Sequence, residues 1–224
     1  MMETAMILAA GRGSRLRPLT DMTPKPLCPL NGIPIIEYHL TNLVSAGYKK
    51  AIINHAHLGG KIRRHLGSGA RFGIEIVYAP EPPGGLETGG GILNALPLLG
   101  NKPFLTINAD IYCDFDLSFF TLPDKSLAHL LLVEKPEYSQ SGDFGLMPNR
   151  QLINSNKQYT FAGIASYHPK LFQDCQRKRF SVTPAIRALA EKKLATGELH
   201  RGLWFDIGSF ERLNAAEQKL RHSL

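Results

Sequence analysis

The residues best equipped for chemistry are Gly11-Arg12-Gly13-Ser14-Arg15-Leu16-Arg17-Pro18, with Pro24-Lys25-Pro26-Leu27 close behind. They follow directly on the apolar run Ala5-Met6-Ile7-Leu8-Ala9-Ala10. Glycine permits positive φ and close backbone approach, and successive N–H groups can then form a concavity for anions. Gly11, Arg12, Gly13 and Ser14 would supply those N–H groups. Arg15 offers a planar fork for phosphate oxygens and Lys25 a point charge. Together they suit the grip of a polyphosphate. The spacing is not that of a Walker loop, and Leu16 stands where a dinucleotide fingerprint needs its third glycine, which argues against a dehydrogenase.

The elements around these residues alternate. Met6–Ala10 reads as a buried strand, and Pro34 opens a helix with Ile36, Leu40, Leu43 and Val44 on one face, stopped at Gly47. Strands are expected at Ala51–Asn54, Ile74–Tyr78, Phe104–Asn108, Leu127–Val133 and Tyr159–Tyr167. Helices are expected at Leu58–Leu66, at Glu87–Leu96 despite three glycines, at Val182–Ala195, and after Ser209 as N-cap. Residues 135–158 are irregular and read as a loop or short hairpin over the site. Strands separated by helices imply an α/β fold, a mainly parallel sheet with helices on both faces. Ligands bind beyond the carboxyl ends of such strands, where both the glycine loop and Asp110 fall.

Composition sets bounds. A chain of 224 residues makes one domain, 1–224, the default. No apolar run approaches the roughly 18 residues of a membrane span, and the six-residue apolar start lacks the basic lead-in of a secretory signal. The cysteines Cys28, Cys113 and Cys175 are odd in number and not in CxxC spacing, which suggests free thiols in a cytoplasmic, reducing compartment. The net charge of +7 attracts anions. The clusters Lys61/Arg63/Arg64 and Arg177/Lys178/Arg179 come with no nucleic-acid-binding signature, and read as solvated faces. Small polyanionic substrates account for the charge, and neither nucleic acid nor membrane is expected as a partner.

The loop and lysine resemble the signature of sugar-1-phosphate nucleotidylyltransferases, which make NDP-sugars from an NTP and a sugar 1-phosphate. Leu86-Glu87-Thr88-Gly89-Gly90-Gly91-Ile92, Asn108-Ala109-Asp110, Phe161-Ala162-Gly163-Ile164 and Trp204-Phe205-Asp206-Ile207-Gly208 fall in that family's order, so the resemblance spans nearly the whole chain. It implies a Rossmann-like, GT-A-like fold and a role for Arg15 on the leaving β,γ-phosphates and for Lys25 on the reacting phosphates. It also implies that Asp110 and Asp206, 96 positions apart, hold Mg²⁺. Two carboxylates with phosphate oxygens and water suit that hard cation. Many relatives have Gly-Asp where this chain has Ala109-Asp110. Glu81 and the Gly85–Gly89 segment are candidates for reading base and ribose. Asn108 is a candidate for the sugar or ribose and Asp143 for the sugar hydroxyls, although a loop-capping role suits Asp143 nearly as well. His55 and His57 lack a third ligand and read as loop or core histidines.

In the implied reaction a phosphate oxygen of the sugar 1-phosphate attacks the α-phosphorus of the NTP. That nucleophile arrives ionised, so no Ser/His/Asp or Cys/His set is needed. Asn54-His55-Ala56-His57-Leu58-Gly59 and Leu86–Ile92 resemble the members that act on UTP and N-acetylmuramate 1-phosphate in peptidoglycan recycling. Guanylyl- or thymidylyltransfer to a hexose 1-phosphate stays open, as does a non-catalytic nucleotide-sugar sensor. The sensor predicts loss of Arg15, Lys25, Asp110 or Asp206, yet all four are present. The C-terminal hexapeptide-repeat helix of some relatives is not expected. A monomer or small homo-oligomer is.

Overall fold

Four parallel strands run side by side and end at one edge, which is where the glycine loop begins. The computed structural model describes residues 2–173, 175 and 178–221, so Arg177 of the second basic cluster lies outside the described residues. The elements are β1 (Thr4–Leu8), α1 (Leu19–Met22), β2 (Pro29–Leu30), β3 (Ile33–Pro34), α2 (Ile35–Ser45), β4 (Lys50–His55), α3 (Gly59–Leu66), β5 (Glu75–Pro80) and α4 (Glu87–Leu99). They continue with β6 (Phe104–Asn108), β7 (Ile111–Cys113), β8 (Ala128–Glu134), β9 (Gly145–Leu146), β10 (Leu152–Ile153), β11 (Tyr159–Tyr167), α5 (Thr183–Glu191), β12 (Ala195–His200), β13 (Trp204–Asp206) and α6 (Phe210–Arg221).

The main sheet has seven strands in the order β12-β8-β11-β6-β1-β4-β5. β1 pairs in parallel with β4 and β6, and β4 with β5. β11 lies antiparallel to both β6 and β8, so the sheet is mixed, mostly parallel. The expected helix Val182–Ala195 is shorter: α5 stops at Glu191, and Ala195 begins β12, an edge strand parallel to β8. The irregular stretch contains the β9–β10 hairpin, as a loop or short hairpin would.

Each face of the sheet carries a core. On one side Ile7, Ile53 and Ile107 pack under α2 and α3 with Ile36, Leu40, Leu43 and Ile62. On the other, Met6, Ile52 and Leu130 pack under α4 and α5 with Ile92, Ala95 and Ile186. The alternation Met6/Ile7 is the two-residue period of a strand buried on both faces. A third cluster joins α6 (Leu213, Ala216, Leu220) to Cys28, Leu30 and Ile35 through Ile207. Truncating a buried leucine such as Leu213 costs about 2–5 kcal/mol. This cluster matters for the site because Ile207 adjoins Asp206.

The glycines of α4 have a packing reason. A Cβ on Gly89 would lie 2.3 Å from the Phe180 ring, and one on Gly90 2.4 Å from the Lys178 carbonyl oxygen. A Cβ on Gly91 would lie 2.6 Å from Glu81 Oε1 and 2.7 Å from Asn54 Nδ2. The helix accepts three poor helix formers because its neighbours approach to backbone distance.

Candidate active site

The parallel strands β1, β4 and β6 deliver Ala9, Asn54 and Asn108 to the same edge. There the Ala9 N–H donates to Asn54 Oδ1 at 2.7 Å, and the Ala109 N–H to the Leu8 carbonyl at 3.1 Å. Beyond β1 the loop turns at Gly13, whose φ of 67° is left-handed. The turn is held by the Thr20 hydroxyl, which donates to the Gly13 carbonyl at 2.8 Å. A Cβ on Gly13 would come within 3.0 Å of Lys25 Cβ, so the glycine lets the loop close over the lysine. A short 3₁₀ turn follows Pro24 and includes Pro26. Lys25 is 7% exposed, and its Nζ reaches Asp110 Oδ2 at 2.5 Å.

The two aspartates meet through a ribbon that is separate from the main sheet. β7 pairs antiparallel with β13, Ile111 opposite Asp206, and the Ile207 N–H donates to the Asp110 carbonyl at 2.8 Å. Asp206 Oδ2 accepts from Arg212 Nη1 at 2.5 Å. Burial raises the Asp206 carboxyl above its ordinary range; Asp110 adds to this, while Arg212, Lys25 and Arg15 oppose it. A Cβ on Gly208 would lie 2.8 Å from Arg15 Nη2 and 3.1 Å from Asp206 Oδ1, so Gly208 makes room for Arg15 beside that carboxylate. Two converging carboxylates, balanced by three cations, form a hard-oxygen donor set that suits Mg²⁺.

Two cavities share this centre. The first, about 290 Å³, is lined by Gly11, Arg12, Lys25, Gly85, Asn108 and Asp110 among others. The second, about 310 Å³, is lined by Arg15, Asn108, Asp110, Asp143, Trp204 and Asp206 among others. Asn108 and Asp110 are common walls. Gly163, with φ 82°, permits this: a Cβ there would lie 2.9 Å from Asn108 Nδ2, at a point where β11 slips register against β8.

Not every expected residue faces a cavity. Glu81 is a brace: Oε1 accepts from Asn54 Nδ2 at 2.5 Å and Oε2 from the Leu86 N–H at 2.7 Å, and it is not in the cavity wall. Gly89 is spent on Phe180, whose carbonyl accepts the Gly89 N–H at 2.9 Å. Gly13 and Ser14 shape the loop and are likewise absent from the wall of the first cavity. Asp143 does both things considered for it: Oδ2 accepts the Phe161 N–H at 2.9 Å, and the residue lines the second cavity. Arg12 is paired with Asp21 at 2.9 Å and also contacts His57. That Arg12–Asp21 pair is well exposed and worth about 0–1 kcal/mol, so it is easily exchanged.

Thr88, within the expected Gly85–Gly89 segment, lines the first cavity; sequence reasoning missed Tyr138 and Arg212, which stand beside Asp206. Thr88 lies inside a family motif; nothing in the sequence singles out Arg212. His55 is buried against Tyr78, and burial, helped by Arg63, lowers its ring pKa. The His57 ring contacts the Thr20 carbonyl at 2.9 Å. Both are loop or core histidines, as expected. Cys113, Asp114 and His200 place their ligand atoms within 4.8 Å of one another. There His200 Nε2 and Asp114 Oδ1 satisfy each other at 2.7 Å, and burial pushes the Cys113 thiol up to about 12.

Residues 4–147 match the family model for nucleotidyl transferases. The chain belongs to this family. An N-acetylmuramate alpha-1-phosphate uridylyltransferase from Neisseria meningitidis is 46% identical over 95% of this chain and 96% of its own length. A protein of the same description from Caulobacter vibrioides is 30% identical over 96% of each. Among solved structures, a Bacillus anthracis protein provisionally described as a glucose-1-phosphate thymidylyltransferase superposes with a TM-score of 0.87. It covers 97% of this chain and 95% of that one at 24% identity, which speaks to the fold alone. The expected GT-A-like nucleotidyltransferase fold is therefore present, and a sugar-1-phosphate nucleotidylyltransferase activity follows from membership together with the relatives. No helix among the described residues is long and apolar enough to cross a membrane.

Proposed function

We propose that this chain joins UTP to N-acetylmuramate α-1-phosphate, giving UDP-N-acetylmuramate and pyrophosphate, as a cytoplasmic step of peptidoglycan recycling. The observation that carries the reaction class is the shared wall: two cavities meeting at Asn108 and Asp110, one holding the glycine loop and Lys25, the other Arg15, Asp143 and Trp204. The substrate pair is supported by the Neisseria relative, matched along nearly its whole length. In this reading residues 1–224 act as one nucleotidyltransferase domain.

UTP occupies the first cavity, with Gly11 and Arg12 on its phosphates and the Gly85 segment by base and ribose. The sugar 1-phosphate occupies the second, with Asn108 and Asp143 on the sugar. Its phosphate oxygen attacks the α-phosphorus of UTP, a bond to the bridging oxygen breaks, and pyrophosphate leaves. Lys25 neutralises charge on the reacting phosphates and Arg15 on the leaving pair. Lys25 is fixed before the reaction by its contact with Asp110, which is the condition for electrostatic stabilisation to be large. Asp110 and Asp206 would hold Mg²⁺, which supplies charge neutralisation and orients phosphate oxygens. No general base is required, because the nucleophile is already an anion.

The test is pyrophosphate release with Mg²⁺, crossing UTP, dTTP, GTP, ATP and CTP with the 1-phosphates of N-acetylmuramate, N-acetylglucosamine, glucose and mannose. Turnover confined to UTP with N-acetylmuramate 1-phosphate is expected. Turnover with another pair corrects the substrate and keeps the mechanism. No turnover from folded, nucleotide-binding protein removes the enzymatic reading.

A further inference from the structure

Arg212 is not used by the mechanism above, yet it is bound into the centre. It lies in the first turn of α6, where its N–H is within 3.4 Å of the Ser209 hydroxyl. Its Nη1 holds Asp206 Oδ2 at 2.5 Å. Its Cζ lies 3.8 Å from the centroid of the Tyr138 ring, over the ring face. Tyr138 belongs to the segment above the second cavity and is 55% exposed. Arg212 itself lines a third cavity of about 980 Å³, which shares Arg15, Tyr138, Trp204 and Asp206 with the second.

The two contacts use different parts of the guanidinium. Stacking on Tyr138 uses its face, while the salt bridge uses its edge. The edge can therefore change partner without leaving the ring. While Arg212 occupies Asp206 Oδ2, that oxygen is not free for a cation. When a divalent cation takes the carboxylate, the freed fork stays on Tyr138 at the border of the second cavity. The anion that enters that cavity is a phosphomonoester, and an arginine fork matches its oxygens.

We propose that Arg212 is a binding residue for the phosphate of the sugar 1-phosphate, held in reserve on Asp206 until a divalent cation displaces it, with Tyr138 as the platform that keeps it in place. The proposal rests on the reading of Asp206 as a cation ligand and of the second cavity as the sugar 1-phosphate pocket.

The first measurement is Mn²⁺ binding by the substrate-free protein, read from the electron paramagnetic resonance of free Mn²⁺. Arg212→Gln removes the competing cation and binds Mn²⁺ roughly threefold or more tightly than the wild type. The second is steady-state kinetics with the sugar 1-phosphate that the wild type turns over. Arg212→Gln raises KM for the sugar 1-phosphate roughly ten- to hundredfold, the loss of one charged hydrogen bond. Its KM for UTP stays within about twofold of wild type. Arg212→Lys, which keeps the charge without the fork, raises the sugar-phosphate KM while leaving Mn²⁺ affinity near wild type. Tyr138→Leu also raises the sugar-phosphate KM and does not tighten Mn²⁺. Unchanged or undetectable Mn²⁺ binding in both wild type and Arg212→Gln overturns the proposal. So does an equal rise in both KM values, or a loss in kcat alone. A wild type inactive on every sugar 1-phosphate defeats the proposed function and with it the phosphate-binding role of Arg212, and the Mn²⁺ arm then decides only whether a cation displaces Arg212 from Asp206.

Discussion

Replacing Gly91 by alanine pits helix propensity against packing, and the structure decides the sign. Alanine is favoured over glycine in a helix interior by about 1 kcal/mol. Against this, the new Cβ would lie 2.6 Å from Glu81 Oε1 and 2.7 Å from Asn54 Nδ2. Neither atom is a free tip. Glu81 is anchored by the Leu86 N–H and Asn54 by the Ala9 N–H, both at 2.7 Å. Breaking one such bond to a charged group costs about 1.5–3 kcal/mol, and shifting the helix instead costs about 1–3 kcal/mol in overpacking. The net is a loss of up to about 2 kcal/mol, or up to about 8 °C in Tm for a chain of this size. Gly60 is the control: it lies in α3, and a Cβ there would meet nothing within 4 Å, so the same change is neutral or stabilising by up to about 1 kcal/mol. Thermal unfolding followed by circular dichroism reads both. KM for UTP should rise in Gly91→Ala, because the brace orders Ala9 and Leu86 beside the first cavity. A Gly91→Ala protein that melts at or above wild type, or a Gly60→Ala protein that melts as low, refutes the reasoning.

Three further expectations follow from the site and the core. Lys25→Ala removes a preorganised cation and should lower kcat roughly 10²–10³-fold; an unchanged kcat at saturating substrates would remove Lys25 from the transition state. Burial lowers His39 to about 4, Asp110 and a backbone hydrogen bond with Ile111 opposing it, whereas the unfolded residue titrates near 6.5. The unfolded chain then binds the extra proton, so the His39 contribution is intact above pH 6.5 and is lost as pH falls toward 4, up to about 3 kcal/mol in all. Urea unfolding of His39→Gln should show a shallower fall over that window, and an identical slope would count against it. Burial pushes the Cys28 thiol up to about 11 and Cys113 up to about 12, whereas Cys175 is only half-buried. At about pH 8 a disulfide-exchange reagent should titrate Cys175 rapidly and the other two only after unfolding; a second fast thiol in the folded protein would contradict this.

The sequence by itself determined what is local. Glycines, arginines and a caged lysine within one loop form a pattern that suits phosphate and is legible in the chain, because the spacing that makes a nest is set by the backbone. Mostly apolar stretches such as Phe104–Asn108 and Tyr159–Tyr167 became β6 and β11 at the expected bounds, because a strand largely buried on both faces carries its signal in most of its residues. Only the tertiary structure decided the rest. β7 and β13 have three residues each, too few for a period to show, yet their pairing is what brings Asp110 beside Asp206. β12 escaped because Thr196, Gly197 and Glu198 do not read as a strand until β8 lies alongside. Glu81 and Gly89 carry contacts that the sequence does not show, a brace to Asn54 and a close approach of Phe180, since the partners of a side chain are set by distance in space. Arg212 stood unmarked in the chain, six positions past Asp206; the turn from ribbon to helix placed its guanidinium on that carboxylate.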